Sequence, residues 1–424
     1  MKKYRKIILL VFVLLIVITS FYLGKNFGKE EVYLDERSKQ IKQENTLSMM
    51  LETEAGSGNY EMTTASSWPT EGYVFNSELS KCENGGELSW DDVNKKVLMS
   101  GNVSDKCYVY FDVYAPPALA EYVISQYNGV QGNNNIYFHD SSLANGAGDN
   151  SYRYAGSSDT TNNYVCFGSN KSPCPKDNLY RIIGVFDGQV KLIKATLATS
   201  SLLGTDGGYY TDNTFKWSNL ETCPSDTTAY IQDNSILMLT NKNVIAAPIS
   251  LGCNMWNYSD LNTINLNTNF LTNIGTHWTS FIEDTTWKIS GHTTDSIIPN
   301  IMYTAEITNA TKTYGPSDGI SKVGLMYVSD YGFAASPSSW TTSLGNYDSS
   351  SITSVNWMYI GQYECTVTPN FSLDNHVFGL TSDGSMSGLI GTLGGKGVRP
   401  TFYLKSSVAY AGGSGTQSDP IIIN

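Results

Sequence analysis

The strongest pattern in the chain is at its start. Ile7 to Gly24 (IILLVFVLLIVITSFYLG) is an unbroken run of apolar or small residues, preceded by Lys2, Lys3, Arg5 and Lys6. At ~1.5 Å per residue this run reaches ~27 Å, enough to cross a hydrocarbon core with little tilt. The basic flank predicts a cytoplasmic N-terminus and an extracellular position for everything after residue 25. A cleaved signal peptide, which would leave a secreted protein, is the alternative. Its apolar core would run to about 7–15 residues before a small-residue cleavage site. Here the run ends in Ser20, Phe21, Tyr22 and Leu23, so residues 1–24 are expected to remain as a single-pass transmembrane helix.

Residues 25–60 change character. From Lys29 onward, Glu and Lys or Arg recur at three- and four-residue spacings, which predicts a solvated helical stalk closed by Gly56-Ser57-Gly58. Residues 61–116 alternate at strand period instead. Gly72–Asn76, Glu87–Trp90, Lys96–Met99 and Cys107–Tyr114 read as strands of a small β module, and Pro116-Pro117 marks its end.

Residues 117–424 form the expected main domain. Tyr180–Phe186 and Gln189–Lys194 flank Asp187-Gly188, a strong hairpin signal because both turn residues must tolerate positive φ. Further strands are expected at Lys322–Val328 and Thr401–Leu404. Ile264, Phe270, Leu271, Ile274, Trp278, Phe281 and Ile282 recur near a period of 3.6 and predict an amphipathic helix. Leu119–Tyr127 is a second, shorter one. Long Asn/Gly/Ser/Thr loops separate these elements, so the fold class is α+β, a loop-rich antiparallel sheet with few helices.

Composition narrows the function. Of 424 residues, 16% are charged, and the net charge is −12, which argues against a nucleic-acid partner. The cysteines stand at 82, 107, 166, 174, 223, 253 and 365. In an oxidising compartment the local pairs Cys82–Cys107, Cys166–Cys174 and Cys223–Cys253 are expected disulfides, with Cys365 left over and free buried thiols as the alternative. There is no Cys-x2-Cys pair to suggest a metal site.

Motifs for catalysis fail on inspection. Gly384-Ser-Met-Ser-Gly388 has Met where a nucleophile elbow needs Ser. Gly391–Gly397 lacks the Ser or Thr that must follow the lysine of a phosphate loop. His292 with Asp295 is a surface histidine in a Thr-rich loop. No cofactor is expected. The Asp- and Asn-rich loops (Asp140, Asn145, Asp149, Asn150, Asp206, Asp212, Asn213) leave Ca²⁺ as the alternative, without EF-hand spacing. A cluster of aromatics beside amides points instead to binding. Trp340, Tyr347, Asn356, Tyr359 and Tyr363 are the expected ligand contacts, while Trp357, in the sequence VNWMYI, is assigned to the core.

The tail Gly397-Val-Arg-Pro-Thr-Phe-Tyr-Leu404, followed by Ser406-Ser-Val and Gly412 to Pro420, resembles the C-terminal signature of a group of uncharacterised surface proteins from gut-dwelling Firmicutes and relatives. Asn45–Gly58, Asp149–Gly156, Asn178–Lys194 and Leu325–Gly332 are similar to the same group. The Gly-Val-Arg-Pro ending also resembles C-type-lectin-like domains of the formylglycine-generating-enzyme type, which implies a binding fold more than an enzyme. The oxidase members use two cysteines near the C-terminal end, where this chain has only Cys365. The Trp-Asn-Asp calcium motif of sugar-binding members is also missing. That resemblance implies that Arg399 holds the final strand by pairing a carboxylate. The expectation is a membrane-anchored extracellular binding or adhesion protein for a glycan or protein ligand. The alternatives are a structural envelope protein or a cell-surface enzyme. The enzyme needs two acids ~5–10 Å apart, and Glu364 with Asp330 or Asp374 are the candidates.

Overall fold

The computed structural model describes residues 32–34, 47–101, 105–221, 252–293, 297–308 and 313–424. The expected membrane helix and Cys223 lie outside these residues. Among the described residues, no helix is long and apolar enough to cross a membrane. The chain divides into two units, Met1–Pro116 and Pro117–Asn424.

In the first unit the described strands are Val32–Leu34 (β1), Leu47–Glu52 (β2), Tyr60–Met62 (β3), Tyr73–Cys82 (β4), Glu87–Asp91 (β5), Lys96–Ser100 (β6) and Cys107–Val113 (β7). One sheet runs β3-β2-β7-β4 and a second runs β1-β6-β5. Alternation explains the inner face: Leu47, Met49, Val97, Met99, Cys107, Val109 and Phe111 are all buried. Trp68 and Trp90 pack against Phe111. The Cys82–Cys107 disulfide joins β4 to β7.

The stalk expected over 25–60 is corrected at its end. Leu47–Glu52 is a strand in parallel register with β7, Leu47 opposite Cys107 and Leu51 opposite Phe111. Period-two burial of Leu47 and Met49 outweighs the helical charge spacing upstream, because it gains a hydrophobic partner 60 residues away in sequence. Glu52 is anchored too, its carboxylate accepting from the amides of Gly58 and Val113.

In the second unit the helix Leu119–Tyr127 (α1) forms as expected. Ile136–His139 (β8), Ser151–Tyr154 (β9), Tyr164–Cys166 (β10), Leu179–Phe186 (β11) and Gln189–Lys194 (β12) follow. β11 and β12 are the expected hairpin, with Asp187 at φ 48° and Gly188 at φ 78° in its turn. The register shifts at Gly184, where a Cβ would lie 2.3 Å from the Tyr152 carbonyl oxygen. Tyr209–Thr211 (β13) and Thr214–Phe215 (β14) make a small hairpin.

The amphipathic helix expected over 264–282 is broken into pieces. It winds with π-type spacing over Leu261–Phe270, continues as α-helix over Leu271–Ile274 (together α2), and restarts at Thr276–Thr279 (α3) after Gly275 at φ 85°. Buried asparagines share its inner face. Asn265 accepts from the Gly208 amide and donates to the carbonyls of Leu203 and Asp206, a role that a hydrophobic pattern does not register.

Thr285–Ser290 (β15) and Thr313–Ser321 (β16) pair antiparallel. Pro299–Tyr303 (α4) lies between them in sequence. Only Val323–Gly324 (β17) of the strand expected over Lys322–Val328 is paired as strand, and Val328–Phe333 is a helix (α5). The Tyr327 amide donates to the Asp330 carboxylate three residues on, which caps the start of the helix. Glu364–Pro369 (β18), His376–Leu380 (β19) and Met386–Gly391 (β20) form a meander. Thr401–Tyr403 (β21) pairs with both β12 and β17, closing the main sheet in the order β17-β21-β12-β11-β9-β8. The unit is a mixed α+β structure dominated by sheet, and the Cys166–Cys174 disulfide forms as expected.

Candidate functional site

A half-open cavity of about 150 Å³ lies where β9, β12, α4 and α5 converge. Its polar floor is a row of alternating charges: Asp149, Arg153, Asp330 and Lys191. Arg153 Nη2 donates to Asp149 at 2.5 Å, and its Nη1 lies 3.9 Å from Asp330. Lys191 Nζ donates to Asp330 Oδ2 at 2.6 Å. Lys191 is 1% exposed and Asp330 3%, so the pair is shielded from screening by solvent.

Aromatic rings wall in both cations. The Arg153 guanidinium is 4.7 Å from the centre of Phe186, 5.0 Å from Phe333 and 5.2 Å from Tyr303. Lys191 Nζ is 4.5 Å from the centre of Tyr327 and 5.2 Å from that of Tyr403. Burial drives Lys191 toward the neutral amine, but Asp330 more than offsets this and holds the proton on. Burial likewise pushes Asp149 up, while Arg153 and the Ser151 hydroxyl bring the carboxyl below its ordinary range. Each acid is thus matched to a cation.

Behind this row lies Glu306, fully buried. Its carboxylate accepts from the amides of Val328 and Ser329 at 2.9 and 3.1 Å, and from the Thr368 hydroxyl. Desolvation dominates, raising its pKa to about 7.

The acids proposed for an enzyme are not brought together as a free pair. Glu364 is bound to Arg399 Nε at 2.5 Å, both being 1–2% exposed. Asp330 belongs to Lys191 and Arg153. Arg399 also donates to the Met358 carbonyl at 2.9 Å, and so ties the segment before β21 to the core.

The five expected ligand contacts divide by burial. Trp340 is 0% exposed, its indole donating to the Ala335 carbonyl. Tyr347 is buried, with its hydroxyl on the Ser339 carbonyl. Asn356 is buried between the Tyr331 carbonyl and the Met358 amide. Tyr359 is half-buried and donates to the Ser382 carbonyl. Tyr363 alone presents its ring to solvent, at 50% exposure. Trp357 is core, as expected.

Tyr363 has neighbours that were not foreseen. The Gly397 amide donates to its carbonyl, and Lys396 Nζ lies 5.8 Å from its ring centre. Lys396 forms a two-way backbone bridge with Phe215 on β14, which places the β13–β14 hairpin alongside. There Tyr210, 53% exposed, covers Gly395 so closely that a Cβ would fall 2.3 Å from its ring. Lys216 Nζ is 5.9 Å from the Tyr210 ring centre. Among the described residues neither Lys216 nor Lys396 has an ion-pair partner. Lys396 Nζ donates to the Gly395 carbonyl at 3.4 Å, and the result is a surface of two tyrosines and two ammonium groups, neither in an ion pair among the described residues, around a glycine-rich loop.

The Asp- and Asn-rich loops are used as turns. Asp140 caps Ser142 and Leu143, Asp206 accepts from Asn269, and Asn145, Asn150 and Asp212 take positive φ. Among the described residues the cluster with metal-ligand spacing is Cys82, Asp105 and Cys107. Both of its sulfurs are already joined to each other.

The sequence held signals for what was missed. Lys191 interrupts the apolar run Val190–Ile193 of a strand with both faces covered, which demands a buried acid as partner. Asp149 and Arg153 stand four residues apart on one strand and the loop before it. Tyr210 and Lys216 carried no signal, because only the bridge to Lys396 makes them neighbours. Comparison with family models, with curated proteins and with solved structures gave no match.

Proposed function

We propose that this chain is a membrane-anchored, extracellular binding protein, held by residues 7–24, whose second unit binds a glycan carrying acidic groups at the Tyr210–Tyr363 surface. The observation that carries this reading is the pairing of two half-exposed tyrosine rings with two lysines that form no ion pair among the described residues, in a chain whose net charge is −12. Tyrosine offers a rigid apolar face for a sugar ring at low entropic cost, and a hydroxyl for its edge. Lys216 and Lys396 supply the complement to a carboxylate or sulfate. The acids of the cavity, by contrast, are each already paired with a cation of the same chain, which leaves neither as an unpaired carboxylate facing a ligand.

The test is a glycan array probed with the full chain in detergent, with neutral and acidic glycans side by side. Binding is expected to favour acidic glycans, to weaken with added salt, and to drop at least tenfold for Tyr363→Ala or Lys396→Gln. Unchanged binding by a Tyr210→Ala/Tyr363→Ala double variant, or silence across the array from a folded protein, overturns the assignment.

A further inference from the structure

We propose that Lys191 and Asp330 join in an intramolecular amide, a covalent tie between β12 and α5 across 139 residues of chain. It is independent of the glycan reading.

Geometry is the first argument. The amine nitrogen is held 2.6 Å from a carboxyl oxygen, with 1% and 3% of the two side chains exposed. The amine is hemmed in: four aromatic rings (Phe186, Trp287, Tyr327 and Tyr403) lie with their centres 4.5–5.6 Å from Nζ. Held groups of this kind react with effective concentrations on the order of 10⁵–10⁸ M, whereas the same condensation between free groups in water does not proceed.

The second argument is the electrostatics of the reacting carboxyl. A buried ion pair bears a large desolvation cost, which narrows the gap to the neutral acid and amine. One proton passing along the hydrogen bond converts one form to the other. The Tyr327 amide donates to Oδ2 at 2.9 Å, and Arg153 stands 3.9 Å from Oδ1. The proton goes to Oδ2, so the negative charge that builds when nitrogen adds to Cγ falls on Oδ1, where Arg153 favours it, while the Tyr327 amide holds Oδ2 in place against the amine.

The step balances without any added reagent. Of the three Nζ protons, the first passes to a carboxylate oxygen. The amine lone pair then attacks Cγ, and a tetrahedral adduct forms. The Cγ–O bond to the protonated oxygen breaks, that oxygen takes the second Nζ proton, and it leaves as water. The third proton remains as the amide N–H. Ser329, Asp330 and Lys191 all line the half-open cavity, so the water has a route out.

The full chain, purified in detergent, reduced and denatured, is weighed by intact mass spectrometry and then mapped with trypsin. The expected mass is that of the sequence less one water, with no cleavage after Lys191 and a branched peptide containing Lys191 and Asp330. Asp330→Ala should restore the water and the cleavage, and this readout holds even if that variant does not fold. A wild-type chain at full sequence mass overturns the proposal and leaves a permanent ion pair. So does a lost water that maps elsewhere, as a succinimide at Asp187-Gly188 for example.

Discussion

Replacing Arg399 by Met tests the buried ion pair that fastens the final strand. The substitution keeps an unbranched apolar stem, two atoms shorter, and removes the donors to Glu364 Oε2 and the Met358 carbonyl. Among the described residues Glu364 Oε1 has no hydrogen-bond partner and Arg399 is the cation paired with the carboxylate, so the substitution strands a carboxylate that is 1% exposed. Burial has raised its pKa even with Arg399 beside it. Breaking such a pair from one side costs ~3–5 kcal/mol. For a unit of roughly 300 residues, unfolding entropy near 2.1 cal/mol/K per residue turns ~4 kcal/mol into a fall of ~6 °C in Tm. The assay is calorimetry at pH 7 on wild type, Arg399→Met, Glu364→Leu and the double variant. The double variant should recover most of the loss, because two apolar side chains replace the pair without stranding a charge. A single variant within about 1 °C of wild type, or a double variant no better than the single, would refute the reasoning.

Other consequences follow from the same structure. Glu306, with its pKa raised to about 7, keeps a proton that the unfolded chain has released. Its contribution is fully present below about 4.5 and is lost as pH rises through 7. Wild-type stability measured against Glu306→Gln should therefore fall by ~3 kcal/mol from pH 5 to pH 8, by denaturant titration. His139 works in the opposite sense. Burial holds its pKa well below 6.5, so its contribution is present above 6.5 and is lost as pH falls, and His139→Gln should flatten the acid limb of the stability curve. Removing the Cys82–Cys107 disulfide, which spans 25 positions, should cost the first unit ~3.5 kcal/mol in the loop-entropy account, read by urea titration with and without reductant. Gly184→Ala places a Cβ against the Tyr152 carbonyl oxygen and should cost ~1–3 kcal/mol, seen as a lowered Tm with the hairpin register unchanged.

Local chemistry was legible along the chain. The hairpin at Asp187-Gly188, the α1 helix, the strands around Cys82 and Cys107 and the two short-range disulfides all follow from periodicity, turn residues and spacing, quantities that neighbouring residues fix between themselves. Arg399 with a carboxylate was also foreseen, from a resemblance. Three things were settled by how the elements pack. Leu47–Glu52 became a strand because β7 offered an inward-facing row to match it. The helix expected over 264–282 takes π-type spacing over Leu261–Phe270, where buried Asn265 serves the backbone of the loop after Leu203, and it breaks further on, at Gly275. Trp340, Tyr347 and Asn356 went inside because carbonyls of the Tyr331–Ser339 stretch took their donors.

The sites follow the same division. Aromatic and amide composition pointed to residues 340–363 as a region, but burial decides which of those residues can touch a ligand, and burial is a sum over the whole fold. Only Tyr363 survived that sum. Its partners Tyr210 and Lys216 stand about 150 positions earlier and reach it through the Phe215–Lys396 bridge. Asp330 was visible as a carboxylate and Lys191 as a lysine in an apolar strand. Their 2.6 Å approach exists only once β12 and α5 pack, since that packing alone removes the water that would otherwise keep the two charges apart.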